Sequence, residues 1–294
     1  MSRLKKVHKG IKRPLVDDDE ELSSKLTVEL PREFRDRHTV EFGLACDHIL
    51  RIDPSLLETI TRQDFPLFLK KDQPLQTLDH HYAKLASAII SQQISGAAAR
   101  SIKAKLINKF GGEFPTPLQM HEQLTSPAGR EMIRGCGLSG RKVEYLESLT
   151  EYFINNEEMI EKLFNSKGND EEIVEQLTKN VKGIGRWTAS MFLVSGLGSY
   201  DVFAVEDLGL ARGCSNYLAD KPTLVAKLTA SRVAIKKSKI KHKKLNWKIY
   251  DEDVIELCAE QFAPYRTVLM FIFWRLASTN VDVLEKNETD FVTK

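Results

Sequence analysis

Between Leu177 and Asp207 the chain carries two kinds of chemistry at a telling distance. Val181-Lys-Gly-Ile-Gly185 is a Gly-x-Gly turn between two helical stretches. Glycine lets the backbone turn sharply and come close to a ligand. The N–H groups of such a turn, and of the helix start behind it, point at an anion. A nucleic-acid phosphate suits this grip, which reads no sequence. Twenty-two residues beyond Gly185 stands Asp207, among Val202, Phe203, Ala204, Val205 and Leu208. A carboxylate there can stabilise developing positive charge, or orient and deprotonate a water. A backbone grip followed by an acid describes a protein that holds a duplex and reacts with it. Blander roles exist for both: a tight turn between packed helices, and a helix N-cap ahead of Leu208-Gly-Leu-Ala, the latter compatible with catalysis.

These residues resemble the helix-hairpin-helix Gly/Pro…Asp superfamily of DNA base-excision glycosylases. Within it they are similar to the 3-methyladenine DNA glycosylases of the budding-yeast and bacterial inducible type. Supporting segments come in the family's order: Leu85-Ala-Ser-Ala-Ile-Ile-Ser-Gln-Gln-Ile-Ser95, Cys136-Gly-Leu-Ser-Gly-Arg-Lys-Val-Glu-Tyr-Leu146 and Pro264-Tyr-Arg-Thr-Val-Leu-Met-Phe-Ile-Phe-Trp274. The resemblance spans roughly residues 40 to 280. It implies a monofunctional enzyme that flips alkylated purines such as 3-methyladenine and 7-methylguanine out of duplex DNA and excises them with water.

A glycosidic bond inside a stacked duplex is out of reach, so the nucleotide must turn out at a cost of a few kcal/mol. That requires a clamp, a wedge and a pocket. The resemblance implies a clamp built on Lys182, Gly183, Gly185 and Thr188. It also implies a monovalent cation, Na⁺ or K⁺, on the carbonyls of Lys179, Val181 and Ile184, and otherwise no cofactor. It places the catalytic acid at Asp207, the second member of the Glu206-Asp207 pair. Strand-cutting relatives carry a Schiff-base lysine two residues after the second hairpin glycine. Trp187 stands there instead, so an abasic site in an intact strand is the expected product.

Trp187 and Trp274 match aromatic positions of the family's base pocket. An indole face attracts a cationic base by about 0.5–2 kcal/mol; ordinary core packing on a helix is the alternative for either ring. Met191 replaces a tyrosine of the bacterial pocket, a departure that bears on lesion preference. The wedge falls in the polar break Ser91-Gln-Gln-Ile-Ser95, where Gln93 matches the bacterial leucine that enters the duplex and Ser95 a second position of fungal relatives. A plain interhelical loop with Gln92 bonded inside is the alternative. His80 and His81 read as a helix entry, since two histidines do not make a metal site.

The positioning elements are helical. Phe42, Ala45, Cys46 and Ile49 share one helix face, and Asp53-Pro54 restarts the next helix. Tyr82, Leu85, Ala86, Ile89 and Ile90 repeat the pattern. So do Ala98, Ile102, Leu106 and Phe110, stopped by Gly111-Gly112. Tyr145, Leu146, Leu149 and Phe153 form a further face. The expected fold class is mostly α: two helical lobes, roughly residues 95–210 and residues 40–90 with 215–282, with the DNA-binding cleft between them. The lobe division comes from the resemblance. The antiparallel sheet domain of bacterial relatives has no room in the 38 or so preceding residues. Residues 26–39 are expected to form an extended strap, and residues 1–25 and 283–294 tails. The first of these is basic (Arg3, Lys5, Lys6, Lys9, Lys12, Arg13), then acidic at Asp17-Asp-Asp-Glu-Glu21, and too polar to pack.

At 294 residues and net charge +2, overall charge does not announce nucleic acid. Residues 221 to 250 hold no acid, however, and Lys236, Lys237, Lys239, Lys241, Lys243 and Lys244 crowd one lysine-rich insert. Such a run is expected to stay solvated, meet phosphate or serve nuclear import. The four cysteines (Cys46, Cys136, Cys214, Cys258) lack zinc or iron–sulfur spacing and suit a reducing compartment. The apolar run Val268–Trp274 is too short to span a bilayer, and no signal-peptide core opens the chain. The reading is a nuclear monomer whose partner is damaged double-stranded DNA. The competing readings are a same-fold glycosylase for oxidised, mismatched or deaminated bases, and a non-catalytic hairpin module that needs no acid at residue 207.

Overall fold

The computed structural model describes residues 28–70, 76–166, 168–240 and 245–279. Among them the chain forms fifteen α-helices: α1 (Arg32–Arg37), α2 (Val40–Ile52), α3 (Leu57–Thr61), α4 (Leu78–Ser91), α5 (Gly96–Lys109), α6 (Pro117–Leu124), α7 (Pro127–Gly135), α8 (Gly140–Asn155), α9 (Glu157–Asn165), α10 (Asp170–Asn180), α11 (Arg186–Ser195), α12 (Leu208–Leu218), α13 (Pro222–Ala230), α14 (Glu252–Glu260) and α15 (Arg266–Leu276). The one extended pairing in the described residues is an antiparallel bridge between His38 and Leu69. The expected mostly helical class holds.

Small polar residues set the helix starts. Thr39, Thr77, Ser95, Ser139 and Asp207 each accept a first-turn N–H, at 3.3, 3.3, 3.2, 3.3 and 2.8 Å. Each such cap contributes about 1 kcal/mol by satisfying a donor the helix leaves open. The faces expected on α2 and α4 are buried throughout, as are Leu146, Leu149 and Phe153 of α8. On α5 the buried set is Ala99, Lys103 and Leu106, while Ala98 is exposed and Ile102 and Phe110 are half-buried. Leu106 keeps its expected place, and Ile102 and Phe110 pack against the core from its edge.

Residues 26–39 differ from the expected strap, because α1 forms within them. Phe34 and His38, at i and i+4, face inward together, with ring centroids 4.3 Å apart and Phe42 beyond at 4.8 Å from His38. His38 donates from Nδ1 to the Phe34 carbonyl at 2.7 Å and accepts the Phe65 N–H on Nε2 at 3.0 Å. Two satisfied ring nitrogens make this burial tolerable, and burial moves the His38 pKa down.

The acid-free stretch 221–250 is also organised differently from the expectation. Residues 222–230 form α13, and residues 231–240 strap onto the start of α14. Arg232 makes a two-armed pair with Asp253 at 2.6 and 3.0 Å and reaches Asp251 at 2.7 Å. Lys236 pairs with Glu256 at 2.7 Å and Lys237 with Asp251 at 3.2 Å. Lys239 lies between Glu252 at 3.8 Å and Glu206 at 3.9 Å. The acids missing locally arrive from another segment, and the three paired lysines still keep more than half of their side-chain surface exposed. Lys241, Lys243 and Lys244 lie outside the described residues, as do both tails.

Helices α12 and α15 carry the candidate residues Asp207, as N-cap, and Trp274. The two helices touch backbone to side: a Cβ on Gly213 would stand 1.9 Å from the Phe273 carbonyl oxygen. Asn216 donates to the Leu276 carbonyl at 2.8 Å, and Tyr217 packs on Phe273 at 5.4 Å. Helix α15 is buried from Thr267 to Trp274, which accounts for its apolar run. No described helix is long and apolar enough to cross a membrane.

Candidate functional site

Asp207 is where three separate elements meet. As N-cap of α12 it receives the Leu210 N–H on Oδ1 at 2.8 Å. Trp274 of α15 donates its indole N–H to the same oxygen at 2.9 Å. Trp187, in the first turn of α11, donates to Oδ2 at 3.1 Å. Three donors from three helices fix the plane of one carboxylate, and helix capping is part of that orientation.

Glu206 is not equivalent. It is exposed, and the cation it meets is Lys239 at 3.9 Å. Geometry thus favours Asp207 over its neighbour as the held acid.

The two tryptophans differ in burial. Trp274 is 2 % exposed and meets Phe271 edge-on at 5.2 Å, whereas Trp187 is 44 % exposed. An exposed indole beside a carboxylate can receive a flat cation; the buried one holds the acid in place. Met191, one turn further along α11, is buried within the core. Leu208, adjacent to the acid and 43 % exposed, lies outside the residues expected from sequence; its only signal there is an apolar side chain at the first position of a capped helix. Gly209 gives the cluster room. A Cβ there would lie 2.7 Å from Thr279 Oγ1, 3.1 Å from Trp274 Cδ1 and 3.2 Å from Asp207 Oδ1.

The segment leading to Asp207 is pinned by the start of α15. Arg266 grips both carboxylate oxygens of Asp201 at 2.7 and 2.8 Å. Fully buried Thr267 donates to the Ser199 carbonyl and accepts the Val202 N–H, both at 2.9 Å. The motif around Pro264–Trp274 therefore positions the acid at two points.

The hairpin between α10 and α11 turns at Gly183, whose φ of +83° is one that L side chains rarely adopt. A Cβ there would also sit 2.1 Å from the Tyr145 ring. A Cβ on Gly185, by contrast, would meet nothing within 4 Å. The space ahead of α11 is open, and no side chain caps this helix. The Lys182 N–H is taken by Ser148 Oγ at 3.0 Å and the Ile184 N–H by the Val181 carbonyl at 3.3 Å. That narrows the expected phosphate donors to Gly183, Gly185 and the first turn of α11, whose N–H groups have no partner four residues back. The Lys182 side chain is exposed and Thr188 half-buried at this end. Arg186 is paired with Glu171 at 2.8 Å.

The wedge candidates lie in the α4–α5 turn. Gln93 is exposed at φ +57°, a left-handed conformation that costs a non-glycine residue about 1 kcal/mol or more and marks functional turns. Ser95 is exposed, and its hydroxyl caps α5. Ile94, 37 % exposed between them, was not among the expected residues; an apolar side chain in a polar break is its sequence signal. Gln92 bonds inward, donating to the Gly183 carbonyl at 2.7 Å.

Residues 86–235 match the model of the HhH-GPD superfamily base excision DNA repair protein family. The chain is 54 % identical over 273 residues to the DNA-3-methyladenine glycosylase of Saccharomyces cerevisiae, covering 92 % of each. A crystal structure of a DNA-3-methyladenine glycosidase from Bacillus halodurans superposes with a TM-score of 0.59 at 25 % identity, over 83 % of this chain and 93 % of that one. The Schizosaccharomyces pombe 3-methyladenine DNA glycosylase Mag1, solved in complex with abasic DNA, superposes with a TM-score of 0.51 at 27 % identity, over 79 % and 95 % of the two chains.

Proposed function

The chain belongs to the HhH-GPD superfamily of base excision DNA repair proteins, and from that premise we infer that it is a DNA-3-methyladenine glycosylase. Its substrate is damaged double-stranded DNA, and its reaction is the hydrolytic release of alkylated purines such as 3-methyladenine and 7-methylguanine. The observation that carries the reading is the convergence of Trp187, Trp274 and Leu210 on the Asp207 carboxylate.

Alkylation places positive charge on the purine and weakens its bond to the sugar. As the base departs, charge develops at C1′, and a fixed carboxylate stabilises it without reorganisation. Asp207 has that role, and it orients the attacking water. Trp187 offers its exposed face to the cationic base, and Trp274 holds the acid in place. Met191, buried one turn after Trp187 on α11, would add apolar lining.

The clamp in this reading is the Gly183–Gly185 turn with the first turn of α11, supported by the Lys182 side chain and Thr188. The carbonyls of Lys179, Val181 and Ile184 would hold a monovalent cation next to the gripped phosphate. Val181 fits, since its carbonyl accepts one bond at 3.3 Å and keeps a second lone pair. Gln93 and Ser95 are the gap-filling candidates, with Gln93 favoured by its left-handed backbone. Genomic DNA as substrate, together with the basic stretch Arg3–Arg13, supports a nuclear site of action.

Base release from dimethyl sulfate-treated duplex tests this function. Free 3-methyladenine and 7-methylguanine should appear while the strand stays intact until alkali is added. Borohydride should trap no protein–DNA adduct, because residue 187 offers no amine. A trapped adduct, or strand cleavage without alkali, would contradict a water-only reaction.

A further inference from the structure

The wedge turn and the hairpin are separate in sequence, yet the molecule mounts both on one helix. Lys142, Tyr145 and Ser148 recur every three residues along α8 and so lie along one side of it. Lys142 donates its ammonium to the Ile90 carbonyl at 2.6 Å, in the last turn of α4 just before the wedge turn. Tyr145 lies against Gly183, where its ring leaves no space for a Cβ. Ser148 accepts the Lys182 N–H at 3.0 Å. Gln92 then closes the triangle by donating directly from the wedge turn to the Gly183 carbonyl at 2.7 Å.

We propose that Gln92 and Lys142 are positioning residues that lock the wedge turn to the phosphate-gripping hairpin, so that the gap-filling side chain enters the duplex in register with the gripped phosphate. Neither residue touches the reacting atoms. The proposal rests on the glycosylase function only in assuming that the turn at Gln93 enters DNA.

The geometry favours coupling over simple stabilisation. The two contacted groups, Ile90 O and Gly183 O, adjoin or belong to the two working parts: the helix end that carries the left-handed turn, which must insert, and the turn that must hold. The Lys142 ammonium is half-buried at a helix C-terminus, where the carbonyl ends attract a cation, although burial itself lowers its pKa. Removing Gln92's donor leaves the hairpin braced by Tyr145 and Ser148, but frees the wedge turn to shift relative to it. A displacement of about 1 Å is enough to cost a positioned device much of its effect.

The experiment compares full-length wild type with Gln92→Leu, Lys142→Met and Lys142→Arg. Affinity is measured for an intact duplex and for the same duplex carrying a tetrahydrofuran abasic analogue, with 2-aminopurine in the opposite strand to report unstacking. No excision is needed, so failure of the coupling is distinguishable from failure of the glycosylase reading. Gln92→Leu and Lys142→Met should bind intact duplex within about twofold of wild type, yet lose on the order of tenfold in preference for the abasic duplex. Their 2-aminopurine signal should fall with that preference. Lys142→Arg, which restores a cationic donor, should recover most of it. The proposal is overturned if the preference and the fluorescence are unchanged. It is equally overturned if affinities for both duplexes fall together with Tm, since Gln92 and Lys142 would then only hold up the fold.

Discussion

The indole N–H of Trp187 lies 3.1 Å from Oδ2 of Asp207. That one contact ties the exposed aromatic at the end of the hairpin to the acid at the head of α12, twenty residues later. The helix that follows the Gly183 turn thus also fixes the carboxylate through its first turn. In the proposed reading, gripping the backbone and placing the acid fall to one arrangement, completed from the other side by Trp274.

Gly209 and Gly213, one turn apart on α12, should respond differently to alanine. At Gly209 the new methyl would press on Thr279, Trp274 and Asp207 at 2.7–3.2 Å. Excision should fall on the order of tenfold to a hundredfold, with Tm changed little. At Gly213 the methyl would fall 1.9 Å from the Phe273 carbonyl, so α12 and α15 must separate. A loss of about 3 kcal/mol or more is expected. Single-turnover rates and urea unfolding of both variants check the contrast; equal effects on stability would remove Gly209's special place beside the acid.

Acid sensitivity should trace in part to His81. It is buried edge-on against Phe164 and Phe192, with Nδ1 unpartnered, and burial moves its pKa down to about 4. Unfolded, it titrates near 6.5, so below that pH the unfolded chain binds the extra proton. The neutral ring's contribution is fully present above about pH 6.5 and is lost as pH falls toward 4. Between pH 7 and pH 4.5 this amounts to about 2–3 kcal/mol at most. Urea melts at the two pH values should show a smaller difference for His81→Leu than for wild type. An unchanged difference would place the acid sensitivity elsewhere.

Replacing Lys236, Lys237 and Lys239 by Gln should leave the salt dependence of duplex binding nearly unaltered, because each lysine already faces an acid. The expected effect is a slight drop in Tm as the strap loosens from α14. A salt slope reduced by two or more phosphate equivalents would show that these lysines leave their partners for DNA.

The same strap marks where the sequence stops being legible. Local spacing exposes what local geometry controls: the inner faces of α2, α4 and α8, the Gly183 turn, and the N-cap at Asp207. Pairing across the fold leaves no such trace. Nothing near Lys236 announces Glu256, and nothing near Gly183 announces Tyr145 or Gln92. The inner face of α5 centres on Ala99, Lys103 and Leu106, and the buried lysine interrupts the apolar spacing by which that face is read. Helix α1 is hidden because its six residues turn one buried side chain, Phe34, inward, which sets no period. The acid itself is identifiable by family resemblance, but its preference over Glu206 has a physical reason only in three dimensions: two indole donors and a helix cap against one distant lysine.

The most direct measurement is the single-turnover rate of 7-methylguanine release by Asp207→Asn, paired with its affinity for abasic duplex. Asparagine caps helices as well as aspartate does and can still accept from Leu210 and Trp274, so the fold and the clamp should persist. The excision rate should fall about a thousandfold or more, with abasic-duplex affinity within about threefold of wild type. Retention of more than a tenth of the wild-type rate would contradict the assignment of Asp207 as the catalytic acid.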